Sequence, residues 1–311
     1  MANIREISGR IRSIRDTMKI TNAMYMISST KLKKAKRGQE GNLPYFKELN
    51  RMYARIIQST SELQNIPYLD ERPEKAGMDR TIALIVITAD KGLAGSYNHN
   101  VVKLAEEIMR TCGCKTKLYV VGEVGRQTFA GKKVEMAGQF KYSAQNPSLH
   151  RAKLISQVIL DSYLSGEIDE ARLVFTQMKN NIASEAVAMR VLPLMYESLV
   201  PVNPESGEIP EKPSINFLPS VESVLDNIVP DMVVGDVYSA LVESFCSEQN
   251  DRMMAMDEAN KNASSMIHEL QIEYNRERQA MITQEITEVI AGAKAQKKKK
   301  AQRELAARGG K

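Results

Sequence analysis

The chain has 311 residues, of which 43% are hydrophobic and 26% charged, and a formal net charge of +5; this composition is that of a folded globular protein and excludes a disordered or collagen-like one. Aromatic residues make up 5%, tryptophan is absent and 17 methionines are present, so long, thinly packed helices are favoured over a thick aromatic core. The charge is uneven: residues 1–38 carry +8 and residues 294–311 carry +7, which leaves −10 on the rest.

From the first residues, apolar or small side chains recur in alternating steps of three and four: Ile4, Ile7, Ile11, Ile14, Met18, Thr21, Tyr25, Ser28, Leu32 and Ala35. This is a heptad seam, and a seam of roughly 48 Å at 1.5 Å per residue requires a partner helix. The start lacks the apolar core of a secretory signal and resembles no transit peptide, so a bacterial, cytosolic setting is expected. The basic run "KLKKAKR", Lys31 to Arg37, has no aromatic residue within it to stack on bases. An acidic protein surface therefore suits it better than nucleic acid.

The middle of the chain changes period. "TIALIVIT" (Thr81 to Thr88), "TKLYVVG" (Thr116 to Gly122) and "ARLVFTQM" (Ala171 to Met178) read as strands, with "VAMRVLPL" (Val187 to Leu194) a fourth. Helical patterns over Val101 to Arg110 and Leu149 to Leu164 alternate with them, which predicts an α/β fold with a mostly parallel, Rossmann-like sheet covered on both faces. The turn "TADKGLAGSYN" (Thr88 to Asn98) stands where phosphate-binding loops occur, yet lacks both glycine fingerprints, so a tight strand-to-helix turn is preferred. Asp90 within it is left to cap a helix, pair with Lys91 or meet a partner. Cys112, Cys114 and Cys246 form no framework, and His99, His150 and His268 form no metal pair. No catalytic, cofactor or metal site is expected, and the chain is not expected to be an enzyme on its own.

Residues 201–219 read as a proline-rich linker or foot loop. Beyond it, Asp231 to about Ala295 reads as one helix of about 65 residues, with Pro230 in its first turn and a face running through Met256, Ala259, Ala263, Ile267, Leu270, Tyr274, Ile282, Ile286, Val289 and Ala293. The expected architecture is a globular base carrying a long antiparallel coiled coil of the two terminal helices. Its parts are an N-terminal helix at 1–60, a sheet domain at 78–200, the loop at 201–219, the C-terminal helix at 220–295 and a disordered basic tail at 296–311.

Five stretches, "KITNAMYMISSTKLKKAK" (Lys19 to Lys36), "TADKGLAGSYN", "NPSLHRA" (Asn146 to Ala152), "SEQNDRMMAMDEANKNA" (Ser247 to Ala263) and "YNRERQAMITQEITEVIAGAKA" (Tyr274 to Ala295), resemble the gamma subunit of the F-type ATP synthase, in order along the chain. The resemblance implies a central-stalk rotor, present in one copy, that couples ion flow through the membrane c-ring to ATP synthesis or hydrolysis in beta subunits. It implies alpha, beta, epsilon and c-ring partners, no nucleic acid, no transmembrane segment of its own, and a peripheral place on the cytoplasmic face of a bacterial membrane. Carried over by motif, Met24, Lys31, Lys33, Lys34, Glu248, Arg252, Arg278, Gln279, Thr283 and Glu285 would contact alpha or beta subunits, and Phe217 and Leu218 would sit at the foot, facing the ring or epsilon. The seam would be made by Ile4, Ile7, Ile11, Ile14, Met18, Leu270 and Ile286. Two departures stand out: Phe217-Leu218-Pro219 replaces the family's aromatic-Glu-Pro, and about 16 residues follow Ala295. A basic coiled-coil protein that binds nucleic acid is the alternative from another class.

Overall fold

The computed structural model describes residues 4–59, 66–72, 74–75, 77–139, 143–180, 183–194, 217–218 and 220–308. The chain divides into two compact units, one of residues 1–24 with 256–311 and one of residues 25–255. Two long helices, α1 (Ile4–Ser59) and α5 (Val221–Arg308), contribute to both.

In the larger unit a five-stranded sheet has the order β3-β2-β1-β4-β5. β1 (Thr81–Ile87), β2 (Lys115–Val121), β3 (Met136–Gln139) and β4 (Glu170–Met178) run parallel, and β5 (Ser184–Leu192) pairs antiparallel with β4. Central β1 is buried on both faces, which explains its unbroken run of Ile, Ala, Leu and Val. On one face Ile82, Leu84 and Val86 pack under α2 (Tyr97–Thr111) and α3 (Glu123–Gly131) through Val101, Ala105 and Phe129. On the other, Ala83, Ile85 and Ile87 join α4 (Leu149–Leu164), the second half of α1 through Leu49, Tyr53 and Ile57, and α5 through Leu225, Val233 and Leu241.

The mostly parallel sheet agrees with the sequence reading. Short β3 and α3, which the reading passed over, complete the β1-α2-β2-α3-β3 half of the sheet. Buried Asp169 anchors the start of β1: its Oδ2 accepts the Thr81 N–H at 2.9 Å, and Oδ1 takes Arg72 Nη1 at 2.9 Å and Lys75 Nζ at 2.7 Å. Although burial works against ionisation, these donors outweigh it and hold the carboxyl down at about 2.

Two helix expectations are corrected. Pro230 lies inside α5 rather than in its first turn, because Val221 to Val229 are already helical and bury Leu225, Ile228 and Val229 in the main core. That burial outweighs the lost N–H of the proline; Pro44 likewise lies inside α1. Likewise the basic tail is not irregular: α5 continues through Arg308. Lys, Gln, Ala, Arg and Leu are strong helix formers, glycine first returns at 309, and basic residues suit a helix C-terminus.

The smaller unit is an antiparallel two-helix coil. Thr21 Oγ1 donates to Asn260 Oδ1, Asn260 Nδ2 donates to Asn22 Oδ1 at 3.0 Å, and Ser264 Oγ reaches Met18 Sδ at 3.6 Å. Ile7 and Ile11 are buried, and Ile4, Ile14, Met18 and Leu270 are half-buried. Ile286 departs from the expected seam, being 54% exposed. The paired positions sum to 281 or 282, which places Ile4 level with about residue 278, so α1 supplies no partner at Ile286.

Candidate functional site

In an open sheet whose order reverses between β1 and β4, ligands ordinarily bind in the crevice beyond the strand ends. Here α5 occupies that place. Ser247 Oγ donates to Thr176 O at 3.1 Å, Glu243 Oε1 accepts the Met178 N–H at 3.0 Å, Ser184 Oγ donates to Asp251 Oδ2 at 2.7 Å, and Tyr97 and Ser244 share a hydroxyl bond of 2.6 Å. Arg252 donates to Gly92 O at 3.1 Å and Lys91 O at 3.2 Å while pairing with Glu248 at 2.7 Å.

The turn itself is fixed from its other side. Asp90 caps neither its own helix nor Lys91: its Oδ1 accepts the Glu123 N–H at the start of α3 at 3.2 Å, and its Oδ2 accepts Ser143 Oγ and the Gln145 N–H. Gly122 sits at φ 95°, and a Cβ there would lie 2.2 Å from Thr88 O, so this glycine serves close strand-turn approach. The tight-turn reading of "TADKGLAGSYN" is thus the observed one.

Glu248 and Arg252, expected to face another subunit, are 1% and 9% exposed. The reason is their own ion pair and the Lys91 and Gly92 carbonyls, which take the guanidinium inward. Burial raises the Glu248 carboxyl above its ordinary range, and Arg252 opposes the rise. Both residues position the turn rather than present a contact surface.

The other expected contact residues divide among three places. Lys33 and Lys34 are exposed on α1, whereas half-buried Lys31 donates to Gln145 Oε1 at 3.3 Å. Met24 is half-buried in the coil. Arg278, Gln279, Thr283 and Glu285 are exposed on α5, where Thr283 Oγ1 donates to Gln279 O within the helix. Phe217 is half-buried against the main core and Leu218 is exposed; residues 201–216 and 219 of the foot loop lie outside the described residues.

A second set of apolar side chains lies off the paired seam; of these the sequence reading passed over Ile20, Ile27, Met281 and Ile290 and placed Ile282 and Val289 on the seam face. Ile20 and Ile27 on α1 are seven residues apart and exposed, as are Met281, Ile282, Val289 and Ile290 on α5. Their spacing at one or two turns was a signal, but a buried seam draws the same pattern. Among the described residues no group of three or more His, Cys, Asp or Glu side chains converges on a metal position, and no helix is long and apolar enough to cross a membrane.

The family model described as ATP synthase matches residues 3–296. An ATP synthase gamma chain of Acetivibrio thermocellus is 42% identical over 300 residues, covering 96% of this chain and all of the relative. One of Ruminiclostridium cellulolyticum is 41% identical over 293 residues, covering 94% and 98%. A chain in a structure of the Euglena gracilis mitochondrial ATP synthase, comprising OSCP, F1 and c-ring in rotational state 3, superposes with TM-score 0.61 at 17% identity, covering 94% of each. Nothing among these relatives favours the nucleic-acid alternative. A plugged switch crevice, a two-helix coil and near-full-length identity above 40% agree, and the chain belongs to the ATP synthase family as a gamma chain, a non-catalytic subunit.

Proposed function

We propose that this chain is the central-stalk rotor through which a membrane ring of c subunits and the catalytic beta subunits exchange work. The observation that carries the reading is the unpartnered end of α5. Beyond about residue 280 the helix runs on for roughly 40 Å without α1, and its exposed face shows Ile282, Ile286, Val289 and Ile290 where a solvated helix would carry charge. Such a face suits an apolar sleeve formed by a ring of alpha and beta subunits. A coil of two unlike helices has no threefold symmetry, so it presents a different side to each chemically identical neighbour.

On this reading Met24, Lys33, Lys34, Arg278, Gln279, Thr283 and Glu285 face alpha and beta subunits, with the lysines opposite acidic side chains. Leu218 lies at the foot near the ring or epsilon. One copy serves each complex, peripherally on the cytoplasmic face of a bacterial membrane. Since rotor angle changes nucleotide affinity, nucleotide binding biases rotor angle in return, and the machine runs in either direction. Co-expression with cognate alpha and beta subunits tests this: ATP hydrolysis by the purified assembly should require the chain, and undiminished hydrolysis without it would reject the reading.

A further inference from the structure

In the larger unit, one face of α1 carries Lys31, Lys34, Ala35 and Gly38, at the i, i+3, i+4, i+7 spacing that stacks side chains together. Opposite stand Tyr238, Val242 and Phe245 of α5, and Asn146 and Pro147 close a third side. These walls border a half-open cavity of about 210 Å³. A side chain at Gly38 has room, since a Cβ there would meet nothing within 4 Å.

We propose that this cavity binds a small amphipathic carboxylate, an acid group carried on a single ring system or short apolar chain. The floor is apolar: Phe245 and Tyr238 are buried and carry no charge. The mouth is positive. Lys34 has no acidic partner among the described residues, and Lys31 spends one donor on Gln145 while its charge also acts on buried Glu248; one residue beyond Pro147, Ser148 caps the N-terminus of the 16-residue helix α4. Tyr238 Oη accepts from Asn42 Nδ2 at 3.2 Å, which leaves its own proton to give.

Charge over an apolar floor selects the ligand class. Inorganic phosphate would leave the floor wet, a neutral hydrocarbon would bury lysine ends without a counter-charge, and the volume falls below the ~300 Å³ at which drug-sized ligands begin, which excludes a nucleotide. All three walls belong to this chain, so the site is complete without a partner. The proposal shares Lys34 with the rotor reading, which sets that lysine opposite acidic side chains of another subunit, and the assembly arm of the test below separates the two.

The test uses the full-length chain and 1-naphthoate, followed by equilibrium dialysis and ligand-observed NMR. Binding should saturate at one site and be about tenfold weaker for neutral 1-naphthamide, as expected for loss of a charge-assisted contact. Lys34→Gln should weaken naphthoate several-fold, and Gly38→Leu, which fills the cavity, should abolish it. Equal binding of acid and amide, or binding unchanged by Lys34→Gln, would overturn the proposal. Should Gly38→Leu lose helicity by circular dichroism, Lys34→Gln decides alone. A final arm repeats the titration in the assembly with alpha and beta subunits: retained binding supports a small-molecule site, and loss overturns it in favour of a partner's carboxylate occupying the cavity.

Discussion

Arg252 Nη2 lies 3.1 Å from the carbonyl oxygen of Gly92, so a helix that begins 129 residues later in the chain than Gly92 holds the turn that follows β1. This bond takes the position that a ligand holds in many open α/β sheets. Arg252 is also the main counter-charge of Glu248, with Lys31 a weaker second.

Arg252→Met should therefore destabilise the chain by about 3 kcal/mol near neutral pH, because it strands a buried carboxylate. Burial already raises the Glu248 pKa, and removing Arg252 raises it further. A raised folded-state pKa favours the native state below the ordinary glutamate range and loses that advantage as pH rises through the shifted value. The deficit should thus shrink on acidification, which urea denaturation at pH 5 and pH 8 will measure; an equal deficit at both would contradict the assigned ion pair.

Asp236 offers the opposite case. Burial lifts its carboxyl to about 6, and no cation is among the causes acting on it. Stability should fall as pH rises through about 6, and Asp236→Asn should remove that fall, leaving the variant about 1 to 2 kcal/mol more stable above pH 7. Thermal melts from pH 5 to 8 read this directly, and parallel wild-type and variant curves would refute it.

The coil gives a contrast between two isoleucines. Ile7 is 2% exposed, so Ile7→Ala should cost about 2 to 4 kcal/mol in the free chain. Ile11→Asp should loosen the coil more severely, by placing an unpaired charge at a buried site. Ile286→Ala should change free-chain stability by less than about 0.5 kcal/mol, while lowering retention of the chain by an alpha-beta assembly. Chemical denaturation paired with pull-down separates the two; comparable losses of stability at Ile7 and Ile286 would contradict the register.

How much of this was legible in the sequence follows the same physics. Strand and helix periods revealed β1, β2, β4 and α4, because each buries one regular face or two. β3 and α3 were passed over because four and nine residues are too short for a period to emerge. The seam from Ile4 to Met18 was readable, yet Ile286 shares its spacing with no helix opposite, since periodicity reports an apolar face and not what covers it. For the same reason Glu248 and Arg252 read as surface charges. Their burial depends on a turn more than 150 residues earlier in the chain, which local pattern does not encode.

Close approach makes one further position sensitive. At Gly235 a Cβ would come within 2.4 Å of the Phe46 ring where α5 meets α1. Gly235→Ala should cost about 1 to 3 kcal/mol despite its better helix propensity, and the double variant Gly235→Ala with Phe46→Leu should recover part of the loss. A stabilised single variant in a urea melt would show that the two helices do not approach so closely.

The rotor assignment itself is tested most directly by watching the chain turn. With cognate alpha and beta subunits immobilised on a surface and a bead attached to the sheet domain, added ATP should drive sustained rotation of the bead in one direction. A bead that stays still while the same assemblies hydrolyse ATP would contradict the account.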